Sequence, residues 1–371
     1  MNKIIIAAAG SGKTTHIVNE AISNSNSRIL ITTFTDANTS EIKGRFYSKL
    51  GYIPKNIEIL PWFTFLLSHC VRPYQGKLYS KRIDNLNLYN GTSAKFISEH
   101  DILNHYFDSQ GKIYSDKISK FAYKCNELTG GMVIYRLSLI FDKIYIDETQ
   151  DLSGWDLEIL ELLFKSDIGI LCVGDPRQST LKTNNSPKNK KKSQENLLSY
   201  FKSIEKNYHL DIDTTTLNIN HRSVKPICDF SNSLYESANW PKTQSDFNPE
   251  YISHLGIFII DTNDVKNYLS LYDPIQLRDS VTTEVYGSQP VLNFGKSKGL
   301  TLDRILIYPT DTMLDWLYKK KELKPGTKCK LYVAITRARY SVGIVVSPKY
   351  KKLHCSLPLW NPLDVRNNPI F

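Results

Sequence analysis

Two short stretches bring together the residue types that phosphate chemistry needs. Gly10-Ser11-Gly12-Lys13-Thr14 joins two flexible glycines to an ammonium and a hydroxyl. Where such a run follows a strand and opens a helix, backbone N–H groups and the helix N-terminus cradle phosphates. Lys13 would reach the β/γ-phosphates and Thr14 a magnesium ion, with Ala9, Gly10, Ser11, Gly12 and Thr15 completing the ATP-binding loop. The usual first glycine of this pattern is Ala7 here. Ile144-Tyr145-Ile146-Asp147-Glu148 reads as a buried strand ending in adjacent carboxylates. That pairing serves when one carboxylate, Asp147, holds magnesium and the next, Glu148, activates water as general base. An acidic pair after a strand is by itself more often a solvated strand end; the phosphate loop gives it its chemical sense.

Further polar clusters extend the pattern. Gly174-Asp175-Pro176-Arg177-Gln178 follows another apolar strand and places Gln178 to sense the γ-phosphate or its attacking water. Asn220-His221-Arg222-Ser223 and Thr336-Arg337-Ala338-Arg339 each supply arginine, whose planar fork suits a phosphate. Taken singly, either arginine would read as a surface or salt-bridge residue.

These residues need a parallel α/β frame. Residues 3–8 read as a strand, 10–12 as a turn, 13–24 as a helix and 28–33 as a second strand, a βαβ opening. Residues 67–137 are polar and helical in pattern, with nothing resembling a sheet strand, and predict an inserted helical subdomain. Strands at 143–146 and 169–173 then flank a helix at 154–165. Residues 183–196 hold a lysine run without apolar period and predict a mobile loop. A second α/β unit begins near Thr215, with strands at 255–261, 290–294 and 304–308 and a helix over 327–340 leading into Val342–Val346. The resulting division is a first domain of 1–66 and 138–208, an insert of 67–137 and a second domain of 209–371.

Composition agrees with this frame. The 371 residues suit two α/β domains, since domains commonly run to about 100–200 residues. A formal charge of +10, from 47 Lys and Arg against 37 Asp and Glu, favours polyanionic partners. The six cysteines are scattered without a CxxC pair, against a zinc ribbon or a secreted disulfide framework. The apolar run Ile4–Ala9 is too short to span a membrane, and the expectation is a cytoplasmic protein without export signal or membrane partner.

Seven segments in order, AAAGSGKT (7–14), ITTFTDANTSEIKGRF (31–46), IDETQDLS (146–153), VGDPRQS (173–179), NHRS (220–223), KSKGLTLDRI (296–305) and YVAITRAR (332–339), resemble the motif series of UvrD/Rep-like superfamily 1A DNA helicases. The resemblance covers 3–66, 143–181, 216–235 and 289–346. It implies two RecA-like P-loop NTPase domains that hydrolyse ATP with Mg2+ in the cleft between them, and a 3′→5′ motor on single-stranded DNA or a single/double-strand junction. Position by position it assigns Lys13, Thr14, Asp147, Glu148, Gln178, Arg222 and Arg337 to the ATP site. His221 stands where an aromatic residue stacks on the base, and Gly299 with Lys298 lies in the segment coupling nucleotide to DNA. Thr33, Phe34, Thr35, Thr64 and Phe65 match the single-strand track.

The resemblance has limits. The usual adenine-recognition segment lies before a first strand that here starts at residue 3, Ser179-Thr180-Leu181-Lys182 replace the usual aromatic and arginine DNA contacts, and Thr301 replaces a usual glutamate. The run Lys188, Lys190, Lys191 and Lys192 either takes over the grip on DNA or is a solvated loop. Only residues 223–295 separate Arg222 from Lys296, too few for the large insertion of the bigger relatives, so the resemblance is to a compact form. Compact members are encoded beside nucleases in phage-defence systems such as Gabija. The alternative this implies is a regulatory ATPase subunit that senses nucleic acid or nucleotide for a nuclease partner without processive unwinding. A small-molecule kinase would leave Arg337 and the single-strand motifs unexplained.

Overall fold

The computed structural model describes residues 2–89, 91–192, 194–236, 240–287, 289–350 and 355–362. By the density of internal contacts the chain forms two units, one of Met1–Ala7 with Lys13–Thr214 and one of Ala8–Gly12 with Thr215–Phe371. Each is built on an all-parallel sheet, the α/β architecture expected.

The first sheet holds β1 (Asn2–Ile6), β2 (Ile29–Thr33), β3 (Ile57–Pro61), β4 (Lys143–Ile146), β5 (Gly169–Gly174) and β6 (Leu210–Asp213), in the spatial order β3-β2-β4-β5-β1-β6. Strands covered on both faces read as continuous apolar runs rather than alternating ones, as Ile29-Leu30-Ile31 and Ile4-Ile5-Ile6 do; all six are buried. Register is set strand by strand: Ile146 lies opposite Cys172, and Ile6 opposite Gly174. Because β4, β5 and β1 are neighbours, the chain leaves the sheet at adjacent points after Ile146, Gly174 and Ile6. Ligands of open parallel sheets bind at such carboxyl ends.

β3 and β6 were not expected from the sequence. β6 pairs with β1, with Asn2 opposite Leu210, so the boundary expected at 208/209 is corrected to 214/215. The insert is also less helical than expected. Helices Ile102–Tyr106, Ile118–Leu128 and Met132–Ile140 are present, but Leu86–Asn87 and Ile113–Tyr114 form a short parallel pair. Helix Ile118–Leu128 buries Ile118, Phe121, Ala122 and Cys125, the three-and-four spacing that turns one helical face inward.

One buried carboxylate ties these parts together. Asp156, on helix Trp155–Phe164, has no solvent exposure. It accepts hydrogen bonds from Trp62 Nε1 (2.7 Å), Asn184 Nδ2 (2.9 Å), the Ser153 N–H (3.4 Å) and the hydroxyls of Ser119 and Thr183. Burial holds its carboxyl above the ordinary range, against the opposing pull of the Ser119, Thr183, Trp62 and Ser153 donors. Beside it Gly154 adopts φ 58°, and a Cβ there would stand 2.0 Å from Asn184 Oδ1, so only glycine fits.

The segment expected to be a mobile loop is therefore anchored. Thr183 and Asn184 are buried, Asn189 Nδ2 donates to Gly154 O and Glu158 Oε1 at 3.0 and 2.8 Å, and Lys188 and Lys192 pair with Glu158 and Glu161 at 3.5 and 3.7 Å.

The second unit's sheet runs β7 (Gly256–Asp261), β11 (Ala338–Val346), β10 (Leu302–Tyr308), β8 (Ile275–Arg278) and β9 (Val291–Asn293) in spatial order. β8 was not expected. Ile305, Ile307, Val342 and Ile344 pack with Ile227 of helix Lys225–Ser233 and with Leu331 and Ile335, each buried aliphatic side chain contributing about 1.5–3 kcal/mol. The expected helix over 327–340 is instead Pro325–Ile335, and β11 begins at Ala338. Among the described residues, the interval 223–295 holds helices Lys225–Ser233 and Val265–Tyr272, the strand Gln244–Ser245, which pairs with Ile219–Asn220 just before the interval, and β7, β8 and β9.

In this unit His254 is stacked between Phe258 and Tyr272, with ring centroids 3.9 Å away on both sides, and shares a 2.9 Å hydrogen bond with the Tyr268 hydroxyl. Burial, helped by the Arg304 charge, holds its imidazole down at about 3.

Two outcomes follow from these contacts. Asp156→Ala strands several buried donors and should lower the unfolding free energy of the first unit by roughly 3 kcal/mol or more, read from urea titration; a loss under about 1 kcal/mol would mean that water replaces the carboxylate. For His254, the unfolded chain takes up a proton near pH 6.5 while the folded chain resists until about pH 3. Its neutral form is therefore fully compatible with folding above about pH 6.5, and stability falls as pH drops through that window, by at most about 1.4 kcal/mol per pH unit. His254 has φ 57°, and His254→Asn, which tolerates that left-handed backbone, should flatten the loss measured between pH 7 and pH 5; an unchanged slope would assign the acid sensitivity elsewhere.

Candidate nucleotide-binding site

Helix Lys13–Ser23 starts directly after the glycine turn and carries a buried Lys13 in its first turn. Thr14 Oγ1 donates to Asp147 Oδ2 at 2.9 Å. Asp147, at the end of β4, also accepts from the Glu148 N–H at 2.9 Å through Oδ1. Burial first, then the neighbouring Glu148 charge, hold its carboxyl well above the ordinary range, against the pull of Lys13 and the Thr14 hydroxyl. A carboxylate so placed is kept ionised by a cation. The donors are hard oxygens, a hydroxyl and a carboxylate. Among the described residues no group of three or more His, Cys, Asp or Glu could hold a metal ion. That donor set fits Mg2+, which proteins hold through one or two carboxylates with substrate phosphates and water completing the shell.

Glu148 occupies the left-handed region at φ 55°, an uncommon backbone for a non-glycine residue that the surroundings must enforce. Its Oε2 accepts from Gln150 Nε2, while Gln150 Oε1 accepts from the Asp175 N–H at 3.0 Å. Gln150 thus links the turns after β4 and β5. Sequence reasoning missed it, and also Asp175, although Asp175 repeats the carboxylate-after-strand pattern of Asp147. Asp175 pairs with Arg177 at 2.8 Å with both side chains buried, and accepts from Gln178 Nε2 at 3.1 Å. Gln178 is thereby held within this network. Thr15 Oγ1 accepts from Arg45 Nη1 at 2.7 Å.

The glycine turn itself groups with the second unit. Ala9 is buried in that unit's core. The Ala8 N–H donates to Leu217 O at 2.7 Å, the His221 N–H donates to Gly10 O at 3.0 Å, and the Ser11 hydroxyl donates to Ala8 O at 2.8 Å. Gly10, at φ 73°, approaches Asn220 so closely that a Cβ would lie 2.7 Å from its Oδ1. Gly12 also has positive φ, 79°.

Within the second unit the two expected arginines converge on the end of helix Pro325–Ile335. Arg222 Nη1 donates to Thr336 O at 3.1 Å. Arg337 is buried, its Nε donating to Val333 O at 3.0 Å, its Nη2 to Thr336 Oγ1 at 3.2 Å and its Nη1 to Leu300 O at 3.5 Å. Carbonyls at a helix C-terminus are the negative end of its dipole and attract cations. The Leu300 contact brings Arg337 beside Gly299, at φ 85°, and the half-buried Lys298. His221, expected to stack on a base, is more than half exposed and bonds through Nδ1 to Asp246 at 2.8 Å.

The expected single-strand track is only partly available. Phe65 has no solvent exposure and packs on Trp62 at 5.5 Å, so its assignment to DNA is corrected: it is a core residue. Thr33 is 1% exposed, and the Thr35 hydroxyl caps helix Asp36–Leu50 by accepting from the Asn38 N–H at 3.1 Å. Phe34, set edge-on to Phe63 at 5.6 Å, and Thr64 keep partial exposure. Lys188 and Lys192, already paired with carboxylates, are partly neutralised as phosphate contacts.

No helix among the described residues is long and apolar enough to cross a membrane. None of the curated proteins matches this chain. Among solved structures, the Arterivirus nonstructural protein 10 helicase is similar at 13% identity and TM-score 0.47, over 95% of this chain and 60% of that one. The same helicase in complex with DNA is similar at 13% identity and TM-score 0.47, over 93% and 61%. This chain thus spans about 60% of that helicase's length. Residues 1–88, which hold the glycine turn, Lys13 and Thr14, match the UvrD/REP helicase N-terminal domain family.

Proposed function

We propose that this protein is an ATP-dependent translocase on single-stranded DNA, moving 3′→5′. The observation that carries the reading is the joint geometry of Thr14, Asp147, Glu148 and Gln150 behind the phosphate-loop lysine, in a chain whose first 88 residues match a helicase domain family. Lys13 binds the β/γ-phosphate oxygens. Thr14 and Asp147 hold Mg2+, which neutralises phosphate charge when bound. Glu148, oriented by Gln150, takes the proton from the attacking water. Gln178 acts on the transferred phosphate, and the motif resemblance assigns Arg222, Arg337, His221 and Gly299 to the nucleotide. Phe34, Thr64 and Lys298 contact the strand, with Thr33 and Thr35 shaping the turn that presents Phe34. Duplex unwinding then draws on a partner, a nuclease being the kind of protein the motif resemblance suggests.

Lys13→Ala should weaken nucleotide binding, whereas Glu148→Gln should leave binding intact and lower turnover by at least about 10²-fold. Equal loss of affinity in both would contradict these roles. Single-stranded DNA should stimulate wild-type turnover; indifference to DNA would replace this reading with that of a nucleotide-sensing subunit. Gln150→Ala should cut turnover by about 10–100-fold with nucleotide affinity unchanged, because its side chain bonds to Glu148 and to the Asp175 N–H and to none of the groups given to nucleotide binding. Unaltered turnover would reduce Gln150 to a structural bridge.

A further inference from the structure

Away from the phosphate loop, the insert and the segment at 186–188 enclose a cavity of about 510 Å3 in the first unit. Three lysines line it: Lys117, Lys120 and Lys188. Lys120 and Lys188 lie over the Trp155 ring, with Nζ 5.4 and 5.2 Å from its centroid. The indole and the carboxylates Glu99 and Glu158, at 2.6 and 3.5 Å from the two ammonium groups, allow the two cations to sit near one aromatic ring. Lys117 makes no ion pair among the described residues, and burial lowers its pKa against the opposing pull of the Asp116 charge, with Lys120 adding to the lowering. Among the described residues Asp116 is the one lining carboxylate, and its oxygens are engaged by the Ser93 N–H at 2.9 Å and the Ser93 hydroxyl at 2.6 Å.

His105 supplies the second, independent observation. It lines the cavity and is 7% exposed. Its Nδ1 is 2.9 Å from Ile97 O and must donate there, which in the neutral ring leaves Nε2 as an acceptor. That Nε2 is buried and has no hydrogen-bond partner. Burial and the nearby lysines favour the neutral ring. A buried acceptor without a donor is costly, and a ligand that brings an O–H or N–H would relieve it. Lys117, whose ammonium has no ion pair among the described residues, calls for an anion in the same ligand, and Lys120 and Lys188, although each shares a carboxylate, can turn donors toward it.

We propose that this cavity binds a nucleotide unit, its phosphate held by Lys117, Lys120 and Lys188 and a sugar hydroxyl or base amine donating to His105 Nε2. A free mononucleotide and a unit of a nucleic-acid strand share this chemistry. The cavity volume lies in the range of small-ligand sites, about 300–1,000 Å3. The proposal does not depend on the role given to Lys13.

The test is amine-labelling of the full chain, read lysine by lysine by mass spectrometry, with AMP and with a 5′-phosphorylated oligothymidylate, in wild type and in Lys13→Ala. Labelling of Lys117 and Lys188 should slow with ligand in both proteins. Protection by AMP identifies the free nucleotide, and protection by the oligonucleotide alone identifies the strand. Lys117→Gln should weaken that ligand about tenfold, as for one lost charge-assisted hydrogen bond, and His105→Phe, which keeps the ring's bulk, should weaken it by a similar factor. Lys117→Gln should leave ATP turnover in the absence of nucleic acid unchanged. No protection by either ligand, or protection that disappears in Lys13→Ala, overturns the proposal.

Discussion

Asp156 sits in the first unit without solvent, where an ionised carboxylate is tolerated only if nearly every lone pair is met. Its donors come from the turn after β3 (Trp62), the insert (Ser119), its own helix start (Ser153) and the segment after Gln178 (Thr183 and Asn184). Four stretches distant in sequence are therefore held at one point, and the requirement is reciprocal, because each donor would be stranded without the acid. The same anchoring fixes Gly154, Asn189 and Lys188, and so shapes one wall of the lysine-lined cavity.

The residues of the candidate nucleotide site depend on a different constraint, the order of the strands. With β4, β5 and β1 adjacent, Asp147, Asp175 and the start of helix Lys13–Ser23 emerge side by side. The resulting density of buried acids is balanced inside the first unit: Arg177 neutralises Asp175, Lys13 and the Thr14 hydroxyl lower the cost of Asp147, and Gln150 occupies Glu148. A bound cation and phosphates would enter a network already polarised to receive them.

In the second unit, helix Pro325–Ile335 organises the basic residues. Its carboxyl end supplies the carbonyls and the threonine to which Arg222 and Arg337 bind. The buried guanidinium of Arg337 is thereby held at the negative end of that helix. His254, stacked between two aromatic rings and bonded to the Tyr268 hydroxyl, is held neutral by burial and by the Arg304 charge.

Much of this was legible in the chain itself. The glycine turn before Lys13, the acids after Ile146 and the apolar runs at 4–6, 29–31 and 170–173 are local patterns, and local patterns report backbone conformation and residue chemistry directly. The parallel α/β class followed from their alternation with helical periods. What local spacing could not report was partnership. β6 is short and half polar, and it is a strand because β1 offers it an edge. Phe65 looks like a stacking platform, and only the packing of Trp62 and the insert buries it. The lysine run at 188–192 carries the same charge in any sequence reading, but Glu158 and Glu161 decide how much of it is available. Gln150 is an ordinary polar residue until β5 brings the Asp175 amide to its side chain. Residue type and periodicity act over a few positions along the chain, whereas parallel pairing and buried hydrogen bonds join residues tens of positions apart, and their energy exists only once the fold has placed both partners.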